Sequence, residues 1–283
     1  MKKKSQIVKY IKIAILSMFL VVIMFPLLYT ISASFKTNSE ILSRPDAVFP
    51  INPTVNNYIE AWNSDAIDIK SMTMNSLIYT IVCVVATLLN STMGGYVYSR
   101  GKFKGKGLVF GAFSMLLFFH MGSVTIYPMF EILNFLDIPK SLYGLMIIKV
   151  LSVSIINIYL VRGYVNSLPK ELDEAAEIDG CSFIKTFFKI HLPLLKPIIA
   201  TIGVLAFQGS WNEYLMPMIF TMADPKQRPL IVGIVALSKS GESAANWNLV
   251  LAGTVISLVP VLIAYAIGNR YFISGLTAGA VKG

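Results

Sequence analysis

Apolar positions in this chain do not alternate; they run. Ile13 to Ser34 carries no charge, and neither do 72–99, 107–130 or 248–267. Two further runs, 141–161 and 198–222, hold one charge each, Lys149 and Glu213. At about 1.5 Å per helical residue each run is long enough to cross a hydrocarbon core of roughly 30 Å. The pattern therefore predicts an all-α membrane protein with six transmembrane helices, the third broken near Pro128. Between the runs lie polar segments. Residues 35–71 hold Pro45, Pro50 and Pro53 and read as loop and short turns. Residues 100–106 are a basic loop, 131–140 a polar turn, 223–247 a second polar loop and 268–283 a tail.

The first run follows a lysine-rich leader and so invites comparison with a signal peptide. A signal peptide's apolar region spans only about 7–15 residues. This one covers positions 13 to 34 and reads as an uncleaved first span.

Six spans put both termini on one side, and basic residues choose which. The leader, 100–106, 162–196 and the tail together carry sixteen of the 24 Lys and Arg, and the opposite side carries seven. The richer side is cytoplasmic by the positive-inside rule, which gives an N-in/C-in topology. Over the whole chain, 55% of residues are hydrophobic and 14% charged, a membrane composition. The formal charge of +9 follows from this topology and gives no reason to invoke nucleic acid. The two cysteines, Cys83 and Cys181, fall in a span and in a polar stretch, and suggest neither a disulfide nor a metal site.

That polar stretch, residues 168–197, is unlike the rest. It opens on Leu168-Pro169, carries five acids up to Asp179, breaks at Gly180 and ends in Leu192-Pro193. Two short helices fit it. Pro169 suits a first turn, the acids favour the positive end of a helix dipole, and Gly180 suits a left-handed cap. Ser182 then caps a second helix with Phe183, Phe187 and Ile190 along one face, and Pro193 ends it. The residues alone allow a solvated loop as readily as a docking elbow.

Little in the chain suggests catalysis. The glycines and lysines of 101–106 lack phosphate-loop spacing and the following Ser/Thr, so a membrane-flanking basic loop is the better reading. His120 and His191 have no acid or nucleophile at a useful spacing. Lys149 sits well inside its span. A charge there costs about 2.5–3.5 kcal/mol on insertion scales, so it should face protein or water, either as an interhelix partner or lining a cavity. Glu213 lies in a run from Gln208 through Trp211 and Asn212 to Pro217. Trp211 and Tyr214 offer flat faces, and Gln208, Asn212 and Glu213 offer hydroxyl partners. That combination suits either a sugar pathway or an aromatic belt.

The stretch Glu174-Ala175-Ala176, three residues, Gly180, nine residues, then Ile190-x-Leu192-Pro193 resembles the cytoplasmic signature of membrane permeases in binding-protein-dependent ABC importers. Further motifs resemble the carbohydrate branch of that family: Asn56-x-Tyr58, Asn75-Ser76-Leu77, Tyr96-x-x-Ser99-Arg100, the Trp211-Asn212-Glu213 run, Arg228-Pro229-Leu230 and the glycine-rich end from Arg270. Lys149 departs from the family pattern.

The resemblance implies a single transmembrane domain over residues 1–283 in a bacterial inner membrane. It implies a non-enzymatic permease subunit that binds no cofactor itself, with Mg-ATP handled by separate subunits. Its implied partners are a second homologous permease, two ATP-binding subunits, an extracytoplasmic solute-binding protein docking on 35–71 and 223–247, and a sugar. It also implies that Glu174, Ala175, Ala176, Asp179, Gly180, Ile190, Leu192 and Pro193 form the ATPase-coupling elbow. Lys149, Gln208, Trp211, Asn212 and Glu213 stand as pathway candidates. An ion-coupled secondary transporter, with Lys149 and Glu213 as its coupling pair, is the alternative; a non-transporting scaffold is a third.

Overall fold

The computed structural model describes residues 2–63, 68–118, 122–239 and 246–280, the side chains of 2–5, 7, 8, 123 and 269–280 excepted. His120 and the final residues of the tail lie outside them. The described residues are helical, with no strand. Along the chain run α1 (Lys2–Ala33), α2 (Asn38–Ser43), α3 (Asn56–Asn63), α4 (Ile69–Arg100), α5 (Lys106–Met115), α6 (Ile126–Phe135), α7 (Leu142–Leu151) and α8 (Ile155–Ser167). Then follow α9 (Glu171–Ile178), α10 (Phe183–Thr186), a π turn at Phe187–His191, α11 (Leu192–Leu194), α12 (Lys196–Trp211), α13 (Leu215–Phe220), α14 (Leu230–Lys239) and α15 (Trp247–Ala280).

Four described stretches are long and apolar enough to cross a bilayer: Lys9–Ala33, Ile69–Arg100, Leu142–Ser167 and Trp247–Gly268. Phe183–Leu194 and Lys196–Trp211, bent by 77°, make a fifth if taken together. Contacts divide the chain into two compact units, Met1–Ser71 with Leu230–Val259, and Met72–Pro229 with Pro260–Gly283.

In the first unit, the segment expected to be loop is held by its polar residues. Thr37 caps α2 by accepting from the Glu40 amide, and Glu40 accepts from the Ile51 amide at 2.7 Å. Asn57 is the hub. Its amide donates to the carbonyls of Ser34 and Lys36 at 2.8 Å each, and its oxygen accepts from Asn248 at 3.0 Å. The two amide hydrogen bonds tie α3 to the turn that follows α1. The second expected loop likewise contains a helix, α14, with Val232 and Ile234 buried.

In the second unit α4 is the unbroken axis. It has no internal proline, and its Ser76, Thr80, Ser91 and Thr92 are buried. At Gly95 α8 comes so close that a Cβ would sit 2.4 Å from Val161 Cγ1 and 3.0 Å from the Arg162 backbone nitrogen, the small-residue packing that membrane helices use. Two apolar clusters flank α4. One joins Tyr79 and Cys83 to Leu133, Leu142, Leu145 and Phe220; the other joins Tyr96 to Val161, Val165, Phe187, Leu195 and Ile202.

The helices around α4 are interrupted, the third predicted span a few residues ahead of Pro128 and the fourth and fifth where the sequence pattern predicts continuity. The third predicted span stops as α5, passes through short 3-10 turns and restarts as α6. Pro128 is not the break. It lies in the first turn of α6, where its missing N–H would have had no partner, and Glu131, expected in a turn, is helical. The fourth span breaks at Ser152–Ser154, with Ser152 extended at φ −78°, ψ 150°. Asn90 of α4 makes this break tolerable: its side-chain amide donates to the carbonyls of Val150 (3.1 Å) and Ser152 (2.9 Å). Replacing Asn90 with leucine strands both carbonyls. The expected loss is about 1–2 kcal/mol, from roughly 0.5–1.5 kcal/mol per lost hydrogen bond, read as a lowered melting temperature in detergent.

The fifth span divides into α12 and α13 at Asn212–Tyr214. Pro217 has no N–H for the Glu213 carbonyl, which opens the chain one turn earlier. At the far end α15 is one helix to Ala280, so the tail is helical and not a separate irregular segment.

Candidate translocation centre and coupling elbow

The elbow folds largely as its residues dictate. α9 carries Glu171, Asp173 and Glu174 in its first turn. Pro169 stands just ahead of that helix, not within it. Gly180 takes φ +69° and closes α9 with two bonds, Cys181 N–H to Ala176 O at 2.9 Å and Gly180 N–H to Glu177 O at 3.0 Å. Both are the paired bonds of a Schellman cap. Ser182 caps α10 by accepting from the Lys185 amide.

Pro193 does not end the second arm. The helix widens into the π turn, where the Leu192 amide reaches the Phe187 carbonyl, and Pro193 continues it. The wider turn accommodates a ring that an α turn would drive into the carbonyl four residues back. The chain bends only at Leu195, between Pro193 and Pro197.

Of the coupling candidates, Glu174, Ala175, Asp179, Gly180 and Pro193 are exposed, while Ile190 and Leu192 are half-buried. Ala176 is 2% exposed. Its small size therefore serves packing inside the elbow and not the seating of a partner. The tip also presents Ile178, 87% exposed, an apolar side chain with nothing of this chain to cover it.

His191 is the correction of largest consequence. No acid lies near it in sequence, yet Asp173, 18 residues earlier, meets it across the elbow: His191 Nε2 lies 2.7 Å from Asp173 Oδ1, and the imidazole is fully buried. Arg100 Nε lies 2.8 Å from Asp173 Oδ2, and Arg100 Nη2 donates to the Leu168 carbonyl at 2.8 Å. Tyr96 covers the cluster, stacked on Phe183 at 4.5 Å and over His191 at 4.7 Å. Nearby, Lys106 donates to the carbonyls of Ser99 and Gly101 at 2.9 Å each. Burial, with Arg162 and Arg100 close by, pulls its ammonium below the ordinary lysine range. A cleft of about 630 Å³ opens beside these groups, its lining including Arg100, Lys102 and Lys170 together with Asp173, Glu174 and Glu177.

The second centre is built from the two broken spans. Lys149 lies in the last turn of α7, where the negative end of the helix dipole favours a cation. Glu213 lies in the break between α12 and α13. Lys149 Nζ and Glu213 Oε1 meet at 2.9 Å, with side-chain exposures of 29% and 21%. Tyr79 of α4 donates to Glu213 Oε2 at 2.6 Å. Each charge thus has an opposite charge, Lys149 a favourable helix end and Glu213 a phenol donor. Gln208 and Asn212 stand exposed beside the pair, the Asn212 amide donating to the Gln208 carbonyl at 3.0 Å. Trp211 does not offer a free face: it is 3% exposed and stacks on Phe207 at 5.8 Å. Tyr79, Asn90, Arg100, Asp173 and His191 complete these centres; none was expected in these pairings, and His191 was weighed only for catalysis. Only Arg100, inside its Tyr96-x-x-Ser99-Arg100 motif, carried a signal.

The chain matches, over residues 2–272, the family described as the binding-protein-dependent transport system inner membrane component. It belongs to that family. The permease is 32% identical, over 95% of its length and 87% of the relative's, to a probable ABC transporter permease of Bacillus subtilis. It is 33% identical to the sulfoquinovosyl glycerol transport system permease of Agrobacterium fabrum, covering 92% of this chain and 89% of that one. It is 30% identical to the trehalose/maltose transport system permease of Thermococcus litoralis, over 99% of both.

The crystal structure of a bacterial ABC transporter that imports the acidic polysaccharide alginate shares the fold, with a TM-score of 0.81 at 23% identity over 95% of this chain and 98% of that one. The permease is therefore a multi-pass inner-membrane component of an ABC transport system, and the family's members are not themselves enzymes. Among the described residues no three His, Cys, Asp or Glu side chains gather as metal ligands.

Proposed function

We propose that this permease is one of two similar transmembrane subunits of an ATP-driven sugar importer, with six spans and both termini in the cytoplasm. A pair of ATP-binding subunits docks on the elbow from the cytosol, and a solute-binding protein delivers sugar from outside onto 35–71 and 223–247. Sugar as substrate rests on the relatives, whose names specify oligosaccharides, trehalose/maltose and a sugar glycerol derivative.

The observation that carries the coupling reading is the elbow's form. It is a capped, internally clamped helix pair with acids and the apolar Ile178 left facing outward. Such a tip suits a cleft in a partner, and its short arms would turn domain closure below into rotation of the helices above. The Lys149–Glu213 pair, with Gln208 and Asn212 beside it, lines the sugar path between the half-helices. Broken helices at mid-membrane are where transporters place substrate. An ion-coupled carrier would also use such a pair, but family membership supports ATP as the energy source.

Purification through a tag on this chain tests the assignment. Vanadate-sensitive Mg-ATP hydrolysis should co-purify, and a preparation that carries sugar with no ATPase attached overturns it. Orientation is read separately. A membrane-impermeant maleimide should label Cys181 in inside-out vesicles and leave it unlabelled in intact cells; labelling from outside overturns the topology.

A further inference from the structure

The elbow and the ion pair are far apart, and three routes join them. Through α8 the route meets the break at Ser152–Ser154 just before Lys149. Through α12 it meets the 77° bend and then the break at Asn212–Tyr214, next to Glu213. Only α4 runs without interruption from one centre to the other.

Its cytosolic end grips both arms of the elbow. Arg100 holds Asp173 and the Leu168 carbonyl, Asp173 in turn holds the buried His191, and Tyr96 stacks on Phe183. About 32 Å further along, at 1.5 Å per residue, Tyr79 holds Glu213. Between them Asn90 holds the broken end of α7 that bears Lys149. Tyr79 is 1% exposed and so does not touch a sugar.

We infer that α4 is the rod that carries elbow displacement to the Lys149–Glu213 pair, with Arg100 and Tyr79 as the positioning residues at its two ends. The breaks beside Lys149 and Glu213 are joints. They let the half-helices reorient when α4 shifts, so Glu213 follows Tyr79 and the pathway side chains follow Glu213. This rests on the coupling reading above.

Two thiol reporters separate the two ideas. Cys181 sits in the elbow, where partner subunits would act directly. For the pathway, Asn212→Cys is introduced with Cys83→Ser and Cys181→Ser. Alkylation by N-ethylmaleimide is timed on the co-purified complex with and without Mg-AMP-PNP. In the otherwise unaltered chain both reporters should change rate by about fivefold or more, the low end of coupling between linked sites.

Arg100→Gln and Tyr79→Phe should each hold the Asn212→Cys response below about twofold while Cys181 still responds, a loss of coupling at the scale of one broken link. A full Asn212→Cys response in both variants overturns the rod. A Cys181 that never responds to nucleotide sinks the coupling reading instead. Should Arg100→Gln disturb the elbow itself, Tyr79→Phe, at the other end of α4 and lacking only a hydroxyl, decides alone.

Discussion

Replacing Gly180 by valine is expected to reduce uptake by about thirtyfold or more while leaving the chain inserted and present at normal amount. The residue sits at φ +69°, and a Cβ there would meet nothing within 4 Å. The penalty is therefore one of backbone, not of crowding. An L residue in the left-handed region costs roughly 1–2 kcal/mol, and a β-branched one more.

Escape from that strain would give up the paired bonds from Cys181 to Ala176 and from Gly180 to Glu177, which set the angle between α9 and α10. At about 1.4 kcal/mol per factor of ten, 2 kcal/mol lowers the ratio of correctly bent to unbent elbows about thirtyfold. The mechanism also ranks milder changes. Gly180→Asn, whose side chain tolerates this region, should stay within about threefold of the unaltered chain, and Gly180→Ala should fall about fivefold. Radiolabelled sugar uptake, with immunoblots for membrane content, reads the series. Normal uptake by the valine variant sinks the argument, and an inverted order of asparagine and alanine sinks its physical basis.

The elbow could be anticipated because its determinants are local. A left-handed glycine after an acidic helix and a serine before an aromatic one act within four residues of themselves, and both caps form as expected. Proline was the misleading signal. Pro128 and Pro193 were expected to break helices, yet one opens α6 and the other rides on a π turn. Whether proline interrupts depends on where the carbonyl four residues back finds a partner.

The breaks that matter most for function gave no local sign. Ser152-Val153-Ser154 sits in an apolar run, and the group that relieves its carbonyls, Asn90, lies 62 residues from Ser152. Distance in sequence also hid the Asp173–His191 contact and the Tyr79 partner of Glu213. Asp173 and His191 are joined only when the elbow closes, and Tyr79 reaches Glu213 across 134 residues. Lys149 and Glu213 were separately visible as charges in apolar runs, and a buried charge needs a partner. Their pairing was the simplest solution, but the helix end beneath Lys149 and the Tyr79 hydroxyl on Glu213 emerge only with the fold.

Removing one member of that pair should be worse than removing both. Lys149→Met leaves a carboxylate supported by Tyr79 alone, and Glu213→Gln leaves an unpaired ammonium. Breaking a buried pair costs about 3–5 kcal/mol, while replacing both members is often neutral. With 29% and 21% exposure the pair is partly solvated, so about 2–3 kcal/mol is the expected loss for either single change. For a domain of this size that corresponds to a melting temperature lowered by roughly 5–10 °C in detergent.

The double change Lys149→Met/Glu213→Gln should recover all but about 1 kcal/mol of that stability. Uptake then separates the two roles open to the pair. A purely structural partner, once replaced by a neutral one, lets transport recover together with the melting temperature. A pair that lines the sugar path leaves the double variant stable and assembled but at roughly a tenth or less of normal uptake, because about 1.4 kcal/mol of lost interaction with the passing hydroxyls already gives a factor of ten. The second outcome is expected, since the pair is reachable beside Gln208 and Asn212. Joint recovery of stability and uptake would remove Lys149 and Glu213 from the pathway and leave them as an interhelix clasp.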